Sequence, residues 1–193
     1  MKLIVAITGA SGVIYGIRLL EVLTNNKAIE THLIISEFGE QNIMYETIWK
    51  VEDVKSLADF CYDVRTLGAP ISSGSFQTDG MIIAPCSVKT MSALANSYAE
   101  NLILRAGDVM LKEGRKLVLL VRETPFHLGH LRNMEKLSEM GAIIMPPIPA
   151  FYYKPKTIEN IIDHTIGKIL DVLGIKHDLF PRWSGLPTKD INA

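Results

Sequence analysis

Cysteine is scarce in this chain, neither sign of charge is in excess, and no apolar run is long. The two cysteines, Cys61 and Cys86, are too few for a disulfide framework and favour a reducing cytoplasm. The 20 Lys and Arg nearly balance the 21 Asp and Glu without forming a basic block, so we expect neither nucleic acid nor an anionic membrane as a partner. The first apolar run, Leu3–Ile7, is too short for a signal-peptide core, and no run approaches the ~18 residues of a membrane span. Small molecules are the expected ligands.

Apolar runs rich in Val and Ile recur along the chain, and helical patterns separate most of them. This alternation predicts a parallel sheet, and the continuous apolarity of Leu117–Val121 indicates a strand covered on both faces. We therefore expect an α/β fold, a three-layer α/β/α sandwich with a mainly parallel sheet, as one domain over residues 1–193. The predicted strands are Leu3–Ile7, Thr31–Ile35, Met81–Ala84, Lys116–Val121 and Ala142–Met145.

Two helices and one loop can be delimited from the pattern. The first helix is predicted to begin at Val13 and to end at Asn25, and the last to follow an N-cap at Thr157 and to close at Gly174. From Asp59 to Asp79 the periodicity weakens, which predicts a long functional loop.

Small and polar residues follow the predicted strands, at the edge where open parallel sheets bind ligands. The turn Thr8–Gly12 leads into the first helix, and Ser87–Thr90 begins another, so each is a candidate anion cradle of free backbone N–H groups. The glycines can equally serve only to turn the chain, and Ser87 only to cap its helix. Together the two cradles favour a nucleotide-like ligand.

Charged residues suggest further candidates. Arg105, Asp108 and Lys112 share one helix face, which is most often a solvated ion-pair stripe. Arg122 and Glu123 end a buried strand, so they must either pair with each other or face a cleft, where Glu123 could transfer a proton. His127 and His130 form an HxxH pair without further ligands nearby, so we expect structural roles and no metal.

The residues at the strand ends resemble those of the UbiX-type flavin prenyltransferases, once described as aromatic-acid decarboxylase subunits. The resemblance covers nearly the whole chain, in order, and its most specific part is RETP after a strand, with the R-x6-K helix before it and PAFY after it. The motifs are ITGASG, SSGS, APCSVKT, ENLILRAGDVMLKEGRKLVLLVRETP and PPIPAFY.

The resemblance implies a flavodoxin-like fold and an enzyme that joins the dimethylallyl group of dimethylallyl phosphate to N5 and C6 of reduced FMN. The product, prenylated FMN, is the cofactor of a partner UbiD-type decarboxylase. The family also implies a homododecamer with active sites at subunit interfaces. The tail, residues 176–193, could pack on its own domain or on a neighbouring subunit, and we expect the neighbouring subunit.

Site residues follow from the same resemblance. It assigns FMN binding to Gly9, Ala10, Ser11, Ser36, Ser87, Val88, Lys89, Thr90 and Arg122. It assigns allyl phosphate binding to Tyr152, Lys168, Arg105 and Lys112, and a wall of the apolar pocket to Trp183. The catalytic residues it implies are Glu123, which protonates the leaving phosphate, Ser11 and Glu46, which serve the later ring-closing proton transfer, and Lys112.

The residue types suit this chemistry. Cationic side chains can stabilise a departing phosphate, and the rings of Tyr152 and Trp183 can shelter an allylic cation. No aspartate-rich metal motif is present, which suits a monophosphate. Lys168 stands where some family members have arginine, so that it keeps the charge and loses the two-pronged grip on phosphate.

Three alternatives remain open. A flavin-dependent cysteine decarboxylase shares the fold, but its catalytic histidine and PxMN-type segment have no counterpart here. A direct aromatic-acid decarboxylase would release carbon dioxide by itself. A non-catalytic FMN carrier would function unchanged without the Glu123 carboxyl.

Overall fold

The structure is a computed structural model, and it describes residues 1–185 of the 193-residue chain. Its contacts divide the chain into two compact units, Met1–Ile148 and a second unit that begins at Pro149. The single domain expected over residues 1–193 stays a prediction. The last part of the predicted tail, residues 186–193, lies outside the described residues. Within the described part of the chain, no helix has the length and apolar character needed to cross a membrane.

The first unit is built on a six-stranded parallel sheet. Its strands are β1 (Lys2–Ile7), β2 (Glu30–Ile35), β3 (Phe60–Asp63), β4 (Gly80–Cys86), β5 (Lys116–Val121) and β6 (Ile143–Ile144). They lie in the order β3-β2-β1-β4-β5-β6, and every neighbouring pair is parallel, as predicted. The register pairs Ile7 with Ile35 and Cys86 with Val121. These residues end β1, β2, β4 and β5, so the turns that follow the four strands share one edge of the sheet.

The sequence did not predict β3. This strand lies in the stretch Asp59–Asp79, where the expectation of a loop without regular structure was wrong. It is a four-residue edge strand with exposed side chains at Phe60 and Cys61, so it lacks the buried apolar run that marks β5. The same stretch also contains a short 3-10 helix, Pro70–Ser72.

Seven α-helices complete the described fold. They are α1 (Val13–Thr24), α2 (Glu37–Glu46), α3 (Val51–Lys55), α4 (Val88–Ala95), α5 (Leu102–Lys112) and α6 (Leu128–Glu139) in the first unit, and α7 (Ile158–Leu173) in the second. Both delimited helices are confirmed. The Thr157 hydroxyl accepts a hydrogen bond from Asn160 N at 3.3 Å, and Gly174 ends α7 with φ of 77°.

Helices cover both faces of the sheet, which confirms the sandwich. On one face, alternate strand residues such as Met81 and Leu117 form a core with α4, α5 and Leu137 of α6. On the other face, α1 packs so closely that a Cβ added at Gly16 would lie 2.3 Å from the Ala84 carbonyl oxygen. Because both faces are buried, the central strands are apolar at every position rather than at every second one.

The described part of the tail packs on α7 of its own chain. Phe180 is buried against Gly167, where an added Cβ would lie 2.4 Å from the ring. Arg182 binds Asp171 at 2.6 Å, and this hydrogen bond lowers the pKa of Asp171 to about 2. Packing of the tail on a neighbouring subunit stays a prediction.

A buried histidine links β2 to β3. His32 is 1% exposed and lies between Glu30 Oε1, 2.9 Å from its Nε2, and the Tyr62 hydroxyl, 3.0 Å from its Nδ1. Its ring stacks on Phe60 and Tyr62 and meets the edge of Phe76. Burial lowers the pKa of His32 more than the Glu30 carboxylate raises it.

We expect this histidine to make the protein less stable in mild acid. Because folding lowers the pKa of His32, its contribution is complete above the unfolded pKa of about 6.5 and is lost as the pH falls below that value. In His32→Gln, the free energy of unfolding in urea should therefore fall less between pH 7.5 and pH 5.5 than in the wild type. Equal losses in the two proteins would contradict this role.

Candidate active site

A cleft of about 260 Å³ opens at the carboxyl edge of β1, β2 and β4. Its lining includes six residues that the resemblance assigned to FMN: Gly9, Ser36, Ser87, Val88, Lys89 and Thr90. The other lining residues are Thr8, Phe38, Glu100, Asn101, Ile103 and Leu104. The sheet thus brings together residues as distant in the sequence as Gly9 and Thr90, because parallel strands bring the turns that follow them to one edge.

Thr8 holds two of these turns together. Its buried hydroxyl donates to the Pro85 carbonyl at 2.7 Å and accepts from Ser87 N at 2.9 Å, so the end of β1 is fixed to the start of α4. The sequence predicts Thr8 as part of the turn and indicates no role for it. The available signal was a hydroxyl residue directly after a wholly apolar strand, which needs a partner once it is buried.

Serine caps begin two helices at the cleft. The Ser36 hydroxyl accepts from Gly39 N at 3.0 Å, and the Ser87 hydroxyl accepts from Thr90 N at 3.2 Å. The capping role considered for Ser87 is therefore confirmed. Ser87 Oγ also lies 3.0 Å from Thr90 Oγ1. Both residues line the cleft, so their hydroxyls and the first-turn N–H groups of α4 lie at its edge. This donor set suits a phosphate group.

The start of α1 is different, because an anion from the chain already occupies it. Glu46 Oε2 accepts from Gly12 N at 2.8 Å and from Val13 N at 3.4 Å. The predicted cradle at this helix therefore binds a carboxylate of α2 and has fewer free N–H groups for a ligand than α4 has. Gly9 is needed for close packing, since an added Cβ would lie 2.4 Å from Phe38 Cβ.

One ion pair lies at the mouth of the cleft. Lys89 Nζ is 3.2 Å from Glu100 Oε1, and the lysine side chain is 81% exposed.

Cys86, next to Ser87, is fully buried, and burial raises the pKa of its thiol, so that it stays protonated and unreactive.

Arg122 and Glu123 follow β5, one strand away from Ser87. Arg122 N donates to the Cys86 carbonyl at 3.1 Å, while its exposed guanidinium has no ion pair or hydrogen bond within residues 1–185. Glu123 Oε1 accepts from Thr124 N at 2.9 Å. The Arg–Glu pair left open by the sequence does not form, and both groups lie at the sheet edge that carries the cleft.

The structure separates Arg105 and Lys112 along α5. Arg105 binds Asp108 Oδ2 and the Ser72 carbonyl, both at 3.0 Å, near the cleft-lining residue Leu104. Lys112 pairs with Glu113 and lies roughly 12 Å further along the helix than Leu104, at 1.5 Å per residue. Within one chain, Lys112 is thus not brought to the cleft. The ion pair between Arg105 and Asp108 agrees with the predicted solvated ion-pair stripe on this helix face. Phosphate binding by Arg105 stays a prediction.

Ala10 and Ser11 belong to the turn between β1 and α1. Tyr152, Lys168 and Trp183 lie in the second unit, where aromatic rings surround His164. The Tyr152 hydroxyl lies 3.0 Å from His164 Nε2, and Trp183 meets the edge of Tyr152 at 5.7 Å between ring centroids. His164 is 8% exposed, and burial lowers its pKa, so that the imidazole is neutral at pH 7. Lys168 is half exposed, with Nζ 3.7 Å from Asp171. Tyr152 and Trp183 are therefore neighbours, as a shared pocket wall requires.

His127 and His130 stack on each other with ring centroids 3.6 Å apart. His127 Nδ1 accepts from Gly129 N at 3.0 Å and caps α6, which is the structural role expected. Within the described range, no group of three or more potential metal ligands comes together.

The sequence and fold match known proteins over nearly their whole length. The flavoprotein family model matches residues 1–178. The flavin prenyltransferase UbiX of Thauera aromatica is 51% identical over 191 residues, which are 99% of this chain and 98% of the relative. This chain belongs to the UbiX flavin prenyltransferase family.

Solved structures of the UbiX family have the same fold. A dodecameric FMN-dependent UbiX-like decarboxylase from Escherichia coli O157:H7 is 48% identical and superposes with a TM-score of 0.94, covering 96% of this chain and 100% of that one. AnUbiX (PadA1), solved in complex with FMN and dimethylallyl pyrophosphate, is 45% identical with the same TM-score, covering 96% of this chain and 98% of that one. The flavodoxin-like fold and FMN as the flavin, both expected from the resemblance, are confirmed, and the cysteine decarboxylase alternative is set aside.

We expect Glu46 to stabilise the fold through its contact with α1. Glu46→Ala should lower the free energy of unfolding by about 1 kcal/mol, the usual effect of losing a helix N-cap, because Gly12 N loses its acceptor. Glu46→Gln should lose less, since its carboxamide oxygen can still accept that hydrogen bond. The control is Glu135→Ala, which alters an exposed glutamate on α6. Urea unfolding at pH 7.5 makes the comparison, and equal stability of the two alanine variants would refute the capping role.

Proposed function

We propose that this protein transfers the dimethylallyl group of dimethylallyl phosphate to N5 and C6 of reduced FMN and releases phosphate. The observation that carries the proposal is the cleft at the end of β1, β2 and β4, where six residues assigned to FMN line one cavity. The neighbouring strand, β5, is followed by Arg122 and Glu123. The first-turn N–H groups and hydroxyls of α4 suit the FMN phosphate, and Gly9 permits close approach to the backbone. When bound, the reduced flavin supplies the two nucleophilic ring positions.

The protein's part in the first step is to assist cleavage of the allylic C–O bond. Glu123 is proposed as the acid that gives its proton to the departing phosphate oxygen, and the chain holds its carboxyl at the end of β5 through Thr124 N. Arg122 has no partner within the described residues, so its charge is available to a ligand. Arg105, Lys112 and Lys168 are proposed to neutralise the phosphate, and they would do so without a metal ion.

The second unit offers the groups that an allylic fragment needs. Tyr152 is held by neutral His164 and meets Trp183 edge to face, so that two aromatic rings lie next to each other. Such rings attract positive charge by about 0.5–2 kcal/mol and exclude water that would trap the cation. Ser11 and Glu46 remain the groups proposed for the ring-closing proton transfer.

We further propose a cytoplasmic homododecamer that passes prenylated FMN to a UbiD-type decarboxylase. The dodecameric relative from Escherichia coli supports the assembly. The decarboxylase partner rests on the family resemblance, and adding the released flavin to a purified apo-decarboxylase of that type would test it directly.

The test of the reaction is anaerobic incubation of the purified protein with FMN, dithionite and a prenyl donor, followed by mass spectrometry of the released flavin. We expect a flavin heavier by one C5H8 unit with dimethylallyl phosphate in the presence of EDTA. A parallel reaction with dimethylallyl pyrophosphate, the ligand of the AnUbiX complex, decides which donor the site prefers. Unmodified FMN from a folded, flavin-bound protein would favour the carrier, and carbon dioxide from an aromatic acid would favour the decarboxylase.

Glu123 offers a sharper test of the mechanism. Glu123→Gln keeps the hydrogen bond from Thr124 N and removes the acidic proton, so turnover should fall about 100-fold or more while the FMN dissociation constant stays unchanged. Glu135→Gln, on the exposed side of α6, should retain both properties and serves as the matched control. Normal turnover of Glu123→Gln would remove this residue from the mechanism and leave the carrier as the better interpretation.

A further inference from the structure

Helix α2 lies lengthwise against the turn that joins β1 to α1. Near its first turn, a Cβ added at Gly39 would lie 2.7 Å from the Ile7 carbonyl oxygen, so the helix backbone touches the end of β1. Near its last turn, Glu46 accepts from Gly12 N at 2.8 Å. Between them, Asn42 Nδ2 donates to the Ala10 carbonyl at 3.1 Å. Positions 39, 42 and 46 are three and four residues apart, so they lie on one helix face.

Asn42 fastens the part of the turn that borders the cleft. Gly9 lines the cleft directly, and Ala10 follows it. A turn that contains Gly9 and Gly12 has more backbone freedom than one built from other residues, so without a restraint part of the binding free energy would be spent on ordering it. A hydrogen bond from a half-buried side chain to the Ala10 carbonyl restrains the turn before any ligand arrives.

The other contacts of α2 with the turn do not replace this one. Glu46 binds the far end, at Gly12 and Val13, and Phe38 packs on Gly9 without a hydrogen bond. The Ala10 N–H already donates to the Thr8 carbonyl at 2.9 Å. The direction of the Ala10 carbonyl then sets the orientation of the peptide that joins Ala10 to Ser11. The side chain at position 42 is the donor that meets it.

We propose that Asn42 is a positioning residue for flavin binding, which acts by holding the Gly9–Ser11 backbone in the conformation that faces the cleft. The inference rests on the proposed function only in taking this cleft as the FMN site. Asn42 itself does not line the cleft, so its effect on FMN passes through the turn. Losing one such neutral hydrogen bond should weaken FMN binding about 3- to 10-fold.

The test compares two neighbouring positions on α2. Asn42→Leu keeps the size of the side chain and removes the donor, whereas Gln41→Leu makes the same kind of change at an exposed residue. The dissociation constant of oxidised FMN is measured by quenching of flavin fluorescence at 25 °C, and the melting temperature of each flavin-free protein is recorded alongside. We expect a 3- to 10-fold higher dissociation constant for Asn42→Leu and less than a 2-fold change for Gln41→Leu.

A second variant and a kinetic measurement complete the design. Asn42→Asp has the shape of the original side chain but no donor at pH 7.5, so it should weaken FMN binding at least as much, and it decides the matter if Asn42→Leu does not fold. With saturating FMN, kcat and the KM for dimethylallyl phosphate should stay within 2-fold of the wild type, because the turn is then ordered by its ligand. A lower melting temperature with unchanged FMN affinity in both variants would overturn the proposal and leave Asn42 a purely structural residue. If the wild type binds FMN but does not prenylate it, the proposed function fails while the comparison of affinities still judges Asn42.

Discussion

The hydroxyl of Thr8 connects the two halves of the cleft, and the site depends on this connection. By bonding to both Pro85 and Ser87, it fixes the turn after β1 to the turn after β4 at a point where water cannot substitute for either partner. The parallel register brings the two turns to one edge, but register alone does not set their separation to within a hydrogen bond. The buried hydroxyl of Thr8 does so, because it bonds a carbonyl at Pro85 and an N–H at Ser87.

The helix N-termini at this edge of the sheet are capped in different ways. Each of α2 and α4 begins with a serine that bonds its own first turn, so further N–H groups remain at the cleft. The start of α1 lacks a side-chain cap of its own and receives the Glu46 carboxylate instead. The positive N-terminus of α1 thus stabilises the tertiary structure, while the positive N-terminus of α4 remains for an anionic ligand. Glu46 therefore links the end of α2 to the turn, whatever part it takes in proton transfer.

The described chain distributes the proposed phosphate-binding cations over separate places. Arg105 lies near the cleft end of α5, and Lys112 lies at the other end of that helix. Lys168 belongs to the second unit. The separation of Arg105 from Lys112 within the first unit accords with a reaction site assembled from more than one surface, as the proposed homo-oligomer would supply.

Local sequence determined the elements whose signals are short in range. Continuous apolarity predicted the central strands, because a strand buried on both faces needs it, and Val13, Thr157 and Gly174 marked helix ends through the chemistry of caps and turns. The family resemblance assigned nine residues to FMN, and six of them line one cavity together with six residues that it did not indicate. The exposed edge strand β3 escaped notice because four partly exposed residues have no distinctive pattern.

Contacts between distant residues were decided only by the tertiary structure. Nothing in the spacing of Glu46 and Gly12, or of Asn42 and Ala10, indicates that α2 lies along the first turn, since such pairs depend on how two helices pack on one sheet. The same holds for Thr8 with Ser87 and for Tyr152 with His164. The sequence by itself determined the central strands, the first and last helices and the family of the chain, because these follow from local preferences and motifs. Which side chains meet, and therefore which charges remain for a ligand, was decided by long-range packing alone.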